Sequence, residues 1–313
     1  MGRKVKRIGR PRSRPALAIL SRKKTLYSTR RLMDAAKARG FRTRVIDVLR
    51  CSLALESANP RLYHRGKEVR GIGVAIPRIG ASVTAVGLSV VRQLEAMGVP
   101  MINSAGAIAR SRDKLAALQH LAAAGVRIPR TVLARGGGDV HELVAQVGGL
   151  PAILKLIQGT QGVGVMIAHS AAEVESILGT LWDLGQEILL QEFVAESQGK
   201  DIRALVVGER VVGAMRREAR RGEFRSNLHR GGFGTAVQLP EDHAEAAVRA
   251  ARVLGLDVAG VDLLESSDGP KVVELNSSPG FEGLERATGL DIAGEIVGFA
   301  AQVAEGAQRA LAL

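Results

Sequence analysis

The chain of 313 residues carries 44 Lys and Arg against 31 Asp and Glu, a formal net charge of +13, with 46% hydrophobic and only 3% aromatic residues. That length holds two or three packed units, and so few aromatics argue against base-stacking recognition of single-stranded nucleic acid. A lone Cys51 excludes an internal disulfide and fits a reducing cytoplasm. The longest uncharged apolar run, residues 79–91, is too short to span a bilayer, so no membrane partner is expected.

Residues 1–14 form a basic arm, expected to be disordered; with the rest of the chain at 37 basic against 31 acidic residues, much of the excess charge lies there. Such an arm serves either as a solubility extension or as a loose contact for RNA or another polyanion. The apolar stretch 16–20 behind it is too short for a signal peptide. From residue 15 the pattern alternates: strand from 15 to 20, helix 27–39, strands 43–48 and 71–79, helix 83–97, strand 99–103, then a helix capped by Ser104 and running to Gly125. Strand–helix alternation predicts a parallel, doubly wound α/β domain over 15–104. After Ile128-Pro129 the rhythm changes to strand 131–134, helix 139–147, strand 151–157, a glycine loop, strand 165–168, helix 171–184 and strand 187–194. This predicts a small α+β lid over 105–194. Over 195–313 follow a hairpin about Gly208-Glu209, an arginine-rich loop, helix 241–254, a second hairpin and a terminal helix 292–311.

That second hairpin, GVDLLESSDGPKVVELNSSPG, sets oxygen donors into both strands. Glu274 and Asn276 are two apart and leave the same face. A five-residue loop, 266–270, pairs Glu265 with Lys271 and puts Asp262 opposite Glu274. A two-residue Asp268-Gly269 turn is an equally good local signal, and turns Asp262 to the other face. In the first register two carboxylates and an amide oxygen converge, a set suited to Mg²⁺ or Mn²⁺; in the second the stretch is an ordinary surface hairpin.

Other stretches carry weaker signals. The loop QGTQGVGV, with Gly159 and Gly162, lacks the Lys-Ser/Thr of a P-loop and leads into a strand, leaving a hairpin whose bare amides can approach an anion. Lys155, on the apolar strand before it, either meets a phosphate or snorkels to solvent. Arg112-Asp113-Lys114 reads as a solvated charge cluster within a long helix. Glu192-Phe193 ends a strand whose edge could hydrogen-bond an adenine, or is a plain edge. Asp201 and Arg203 share a face and bind ligand or each other. Arg225, Asn227 and His229 alternate along the arginine-rich loop before Gly231-Gly232, which suits a lid over an anion or a solvated segment. No Cys or second His stands at zinc-ligand spacing from His229, and no nucleophile elbow is present.

Taken in order, Ser21…Thr25-Leu26-Tyr27-Ser28, Pro77-Arg78-Ile79-Gly80, Arg112-Asp113-Lys114, Gly159-Thr160-Gln161-Gly162, Asp201-Ile202-Arg203, Phe224 to Gly232 and Asp262…Glu274-x-Asn276 make the chain resemble the RimK family, ribosomal-protein glutamate ligases of the ATP-grasp superfamily. The likeness spans about residues 15–300 and leaves the arm outside. It implies an ATP-grasp fold behind a Rossmann-like pre-ATP-grasp domain, with Lys114 and Lys155 on the phosphates of ATP and Gly159 and Gly162 above them. Glu192 and Phe193 would sit at the adenine, Asp201 near the ribose, and Arg225, Ser226 and Asn227 would close over the nucleotide. Asp262 and Glu274 would hold one Mg²⁺ or Mn²⁺ ion, Glu274 and Asn276 a second. Arg203, Arg225 and Asn227 would serve the transfer step, and Ser21, Arg78, Arg216 and His229 the substrates. Those substrates would be L-glutamate and the acidic C-terminal tail of the sixth small-subunit ribosomal protein, joined by a cytoplasmic homo-oligomer through an acyl phosphate. Two other readings remain at this stage: another ATP-grasp amide ligase, acting on an amino-group carrier protein or a dipeptide, and a basic ribosome- or RNA-binding protein without catalysis.

Overall fold

A computed structural model describes residues 16–135, 138–157, 164–197, 199–219 and 233–310. The basic arm therefore lies outside the described residues. So do Gly159, Gly162, Arg225, Ser226, Asn227 and His229.

The first unit is built on β1 (Ala16–Leu20), an apolar run buried on both faces as a central parallel strand must be. After helix α1 (Tyr27–Ala38), strand β2 (Thr43–Ile46) pairs parallel with one side of β1. Three short antiparallel strands follow, β3 (Cys51–Ala54), β4 (Arg61–His64) and β5 (Lys67–Glu68), which the chain-order reading did not foresee. Strand β6 (Ile72–Pro77) then takes the other side of β1. Helix α2 (Thr84–Ala96) ties the small sheet down: its buried Gln93 donates to the carbonyls of Ala54 and Arg61 at 3.2 and 3.0 Å. The strand expected over 99–103 reduces to a single bridge between Met101 and Ala75.

Ser104 caps a helix as expected, its Oγ accepting from Ala107 N, but that helix does not run to Gly125. It stops as α3 (Ala105–Arg112). Asp113 is extended, with φ −85° and ψ 104°, and its carboxylate accepts from Ala116 N to cap a new helix, α4 (Lys114–Ala123). An aspartate that caps competes with the interior of a helix, and the backbone yields here. The consequence is functional, because the break re-aims Arg112 and Lys114, which are half-buried rather than solvated.

The central sheet comprises β7 (Thr131–Ala134), β8 (Ala152–Leu156), β9 (Val165–Ala168) and β10 (Ile188–Glu192) in the order β7-β10-β8-β9. Helices α5 (Val140–Gln146) and α6 (Ala171–Asp183) bury Val144, Val174 and Leu178 against Leu154, Ile188 and Leu190 of one face. Lys155 and Gln191 belong to the other.

The last sheet has β11 (Lys200–Val207), β12 (Arg210–Glu218), β13 (Phe233–Ala236), β14 (Val258–Leu264) and β15 (Lys271–Asn276), ordered β13-β12-β11-β14-β15 and antiparallel throughout. Ile202, Ala204, Val206, Val261 and Leu263 pack on α7 (Glu241–Leu254) and on Ala117 and Leu121 of α4. The opposite face is divided. Leu205, Val207 and Val258 join α1, β1, β6 and the closing helices α8 (Glu282–Thr288) and α9 (Ile292–Ala310) in one core. Beyond that core the same face turns polar, with Asp201, Arg203, Arg217 and Asp262. Asn103 locks the first unit to this sheet, donating to the carbonyls of Val258 and Ser277 and accepting from Val258 N at 2.8 Å.

Candidate active site

Both hairpins of the last sheet contain a bulge, and the bulges decide which side chains meet. In β14–β15 the pairs Leu264–Lys271 and Leu263–Val272 are followed by Asp262–Glu274, so Val273 is the extra residue. The turn is therefore one residue longer than the five counted from sequence, and the bulge returns Asp262 to its place opposite Glu274. Gly260, two residues on, faces Asn276. A Cβ on Gly260 would come within 2.8 Å of Pro279 Cβ, so glycine is needed for the loop after β15 to fold back over the sheet. In β11–β12 the register likewise shifts beyond Leu205, which hands Asp201 to Arg217 instead of Arg216.

The resulting cluster is tightly paired. Arg203 grips Asp262 with Nε–Oδ1 at 2.5 Å and Nη2–Oδ2 at 2.6 Å. Arg217, 4% exposed, forks onto Asp201 at 2.6 and 2.5 Å and reaches Asp262 Oδ2 at 3.0 Å. Burial alone would push the Asp262 carboxyl up; the two guanidiniums overcome it and hold it below the usual range. Burial likewise opposes the charge on Arg217, and Asp262 and Asp201 more than restore it. Asp201 and Arg203 thus share a face without pairing with each other.

Glu274 is exposed and makes no hydrogen bond or ion pair among the described residues, but its field reaches Lys155, Lys114 and Arg112. Lys155 Nζ is bound to Gln191 Oε1 at 2.5 Å, and Gln191 is fixed by Thr131 Oγ1 at 2.8 Å. Burial pushes the Lys155 ammonium down to about 8, the field of Glu274 opposing and that of Lys114 assisting. Lys114 Nζ donates to Leu156 O at 3.0 Å, bridging α4 to the central sheet, and burial lowers it too against the pull of Glu274. Arg112 donates to Ile79 O at 2.5 Å and is lowered in the same way. The donor set of Asp262, Glu274 and Asn276 fits a hard divalent cation in its chemistry, two carboxylates and an amide on one sheet face, provided Arg203 releases Asp262.

The remaining sequence candidates divide. Glu192 Oε1 takes Lys271 Nζ at 2.7 Å and its Oε2 takes Arg130 N at 2.9 Å, so this side chain clamps the central sheet to the second hairpin. Burial raises the Glu192 carboxyl, and those bonds bring it below its ordinary value. Phe193 follows, half-buried. Ser21 is buried, its Oγ 2.7 Å from Thr29 Oγ1 at the start of α1. Arg78 donates to Pro279 O at 2.7 Å and Ser28 Oγ at 3.3 Å and lies 5.7 Å from the Phe281 ring centroid. Arg216 holds both oxygens of Glu265, at 2.9 and 3.0 Å, at the mouth of the hairpin. Sequence reading missed Arg217, Arg112 and Lys271. Only Arg112 had a signal, in the motif around Asp113.

Residues 111–299 match the RimK-like ATP-grasp domain and residues 16–108 the RimK pre-ATP-grasp domain. A protein of Thioalkalivibrio sulfidiphilus named "Probable alpha-L-glutamate ligase" is 51% identical over 286 residues, covering 91% of this chain and 95% of its own length. Among solved structures, the RimK domain protein ATP-grasp from Sphaerobacter thermophilus aligns with TM-score 0.69 and 26% identity over 91% of this chain and 99% of that one. The ATP-grasp ligase PsnB complexed with minimal precursor, Mg and ADP aligns with TM-score 0.72 over 92% of this chain and 98% of that one; at 21% identity the likeness is one of fold. Among the described residues no helix is long and apolar enough to cross a membrane.

Proposed function

The chain belongs to the RimK-like ATP-grasp family of ATP-dependent carboxylate–amine ligases, and on that premise we propose that it adds L-glutamate to the C-terminal carboxylate of an acidic protein tail, that of the sixth small-subunit ribosomal protein. The observation that supports this most is Asp262 opposite Glu274 within the field of Lys114 and Lys155. Hard-cation ligands and phosphate-seeking ammoniums would thereby serve one site. The same reading divides the chain at 15–104, 105–194 and 195–313, with α3 and α4 belonging by sequence to the second part while α4 packs on the sheet of the third.

In this reading the acceptor carboxylate takes the γ-phosphoryl group of ATP, giving an acyl phosphate and ADP; the α-amine of glutamate then displaces phosphate. The first step joins two anions, so its barrier is largely repulsion. Lys155 and Lys114 draw the triphosphate to the mouth of the central sheet. Glu192 and Phe193 would border the adenine, and Gly159, Gly162, Arg225, Ser226 and Asn227, outside the described residues, are assigned to the nucleotide by their sequence motifs alone. Asp262, Glu274 and Asn276 would hold Mg²⁺ or Mn²⁺, two ions in this reading, and the ions would supply charge neutralisation for the transfer. Arg203, released from Asp262, turns to the transferring phosphoryl group, while Arg217 keeps Asp201 and Asp262 in place. Ser21, Arg78, Arg216 and His229 face the substrates. The Mg of the PsnB complex and the name of the Thioalkalivibrio relative support the ion and the amino acid.

ADP release with each amino acid in turn tests the assignment. Glutamate should exceed the other acids, and turnover no higher with glutamate than with them would favour a different amide ligase of this fold.

A further inference from the structure

Two guanidiniums next to the proposed site are bonded to no carboxylate among the described residues. Arg78 follows β6, at the C-terminal edge of the parallel sheet where doubly wound folds take ligands, and Arg112 ends α3. Each spends Nη2 on carbonyl oxygens, of Pro279 and Ile79, and Arg78 adds the Ser28 hydroxyl. In both, Nε is buried with no partner. Among the described residues neither forms an ion pair; burial brings Arg78 down to about 10, with the charge of Arg112 adding to the effect, and Arg112 is bonded to the carbonyl of Ile79, the residue after Arg78. Buried like charges are costly, and unmet guanidinium donors cost more. Their placement is also rigid: Arg78 is held against Phe281 and the loop after β15, Arg112 by the Asp113 break.

We infer that Arg78 and Arg112 form a carboxylate-binding site for the non-reacting carboxylates of the incoming amino acid, and so select a dicarboxylate. This rests on the ligase reading above and names how its amino acid is chosen. Glutamate enters the second step with two carboxylates that do not react, and both must be kept off the phosphates while the amine reaches the acyl carbon. Arg112 lies within the field of Glu274 and is bonded to the carbonyl of Ile79, the residue after Arg78, so the pair links the strand of Glu274 to the end of β6. Forked, immobile guanidiniums suit planar carboxylates better than lysines would. The α1 N-terminus beside Ser28 has no side-chain cap at Leu26 and adds partial positive charge. Acidic side chains of the acceptor tail share the chemistry, but buried Nε atoms call for a small ligand that can be enclosed.

The test compares wild type, Arg112→Gln, Arg112→Lys and Arg78→Lys. Its readouts are equilibrium dialysis of labelled glutamate with Mg²⁺ and a non-hydrolysable ATP analogue, and steady-state KM for glutamate, glutamine, ATP and acceptor peptide. Arg112→Gln should raise the dialysis Kd and the KM for glutamate at least tenfold and erase most of the preference for glutamate over glutamine, leaving KM for ATP and peptide unchanged. Arg112→Lys should recover part of the loss, and it carries the test if the glutamine variant does not fold. A rise confined to the KM of the peptide assigns the pair to the acceptor tail and overturns the inference, as does a loss in kcat with glutamate affinity intact. Failure of wild type to use any amino acid would instead strike the ligase reading, and absence of glutamate binding in dialysis would overturn the site as well.

Discussion

Arg203 occupies both carboxylate oxygens of Asp262, a bidentate pair at 2.5 and 2.6 Å between neighbouring strands. A cation taken up by Asp262 in the proposed site would meet a carboxylate whose two oxygens are already engaged, so Arg203 and the cation would compete for it. Arg203→Met should therefore tighten Mn²⁺ binding in the absence of nucleotide while lowering ligase turnover by about 10²–10³, the scale of losing one preorganised charge at a transferring group. Titration by electron paramagnetic resonance reads the first effect, and unchanged or weaker Mn²⁺ binding would refute the competition.

Arg217 plays a different part, because it is 4% exposed and shared by two acids. Arg217→Met removes the buried cation between Asp201 and Asp262, leaving the Asp262 carboxylate to Arg203, and should cost about 3–5 kcal/mol of stability. Adding Asp201→Asn should return a measurable share, since it lowers the negative charge that Arg217 balanced in the cluster. Chemical denaturation of the two variants checks this; equal losses would mean the Arg217–Asp201 fork adds little to the fold.

The two hairpins show what could be read from the chain and what could not. Strand identity and the turn at Gly208-Glu209 follow from alternation and turn chemistry, which leave the facing of Asp262 on Glu274 as one of two registers. The bulges do not. Val273 carries no mark of being an extra residue, and the correct pairing of Asp262 was reached through a loop counted one residue short. The same blindness hid Arg217, which straightforward counting leaves without Asp201. Asp113 was misplaced for a related reason: the apolar periodicity of residues 105–123 continues across it, and only the local contest between capping and helix interior ends α3. The strands from Cys51 to Glu68 are short and half exposed, so they lack the apolar run that announces a strand.

In the proposed function Lys155 would make nucleotide binding sensitive to alkali. Its ammonium is pushed to about 8 from an ordinary ~10.4. Between those values the unfolded chain binds more protons at this position, so its contribution to stability rises with pH there and is a standing cost below the window. Binding runs the other way: as pH climbs past 8 the charge meant for phosphate disappears, and affinity for an ATP analogue should fall. Lys155→Arg keeps its charge and should flatten that limb between pH 7.5 and 9.5 in calorimetric titrations, whereas an equal decline in both proteins would place the titrating group elsewhere.

Gly260 is held to glycine by the approach of Pro279. Gly260→Ala should cost about 1–3 kcal/mol as an overpacked contact, and it should impair turnover more than folding because Asn276 faces the same position. Thermal melts with parallel activity assays decide it. A variant as stable and active as wild type would show that the loop has room to shift.

The most direct measurement is intact-protein mass spectrometry of the acidic-tailed ribosomal protein after incubation with this enzyme, ATP, Mg²⁺ and glutamate. The account predicts mass added in whole glutamyl steps, dependent on ATP, and none with the Asp262→Asn, Glu274→Gln double variant, although that variant stays folded. Unmodified acceptor with active wild type on another amino acid, or full modification by the double variant, would contradict it.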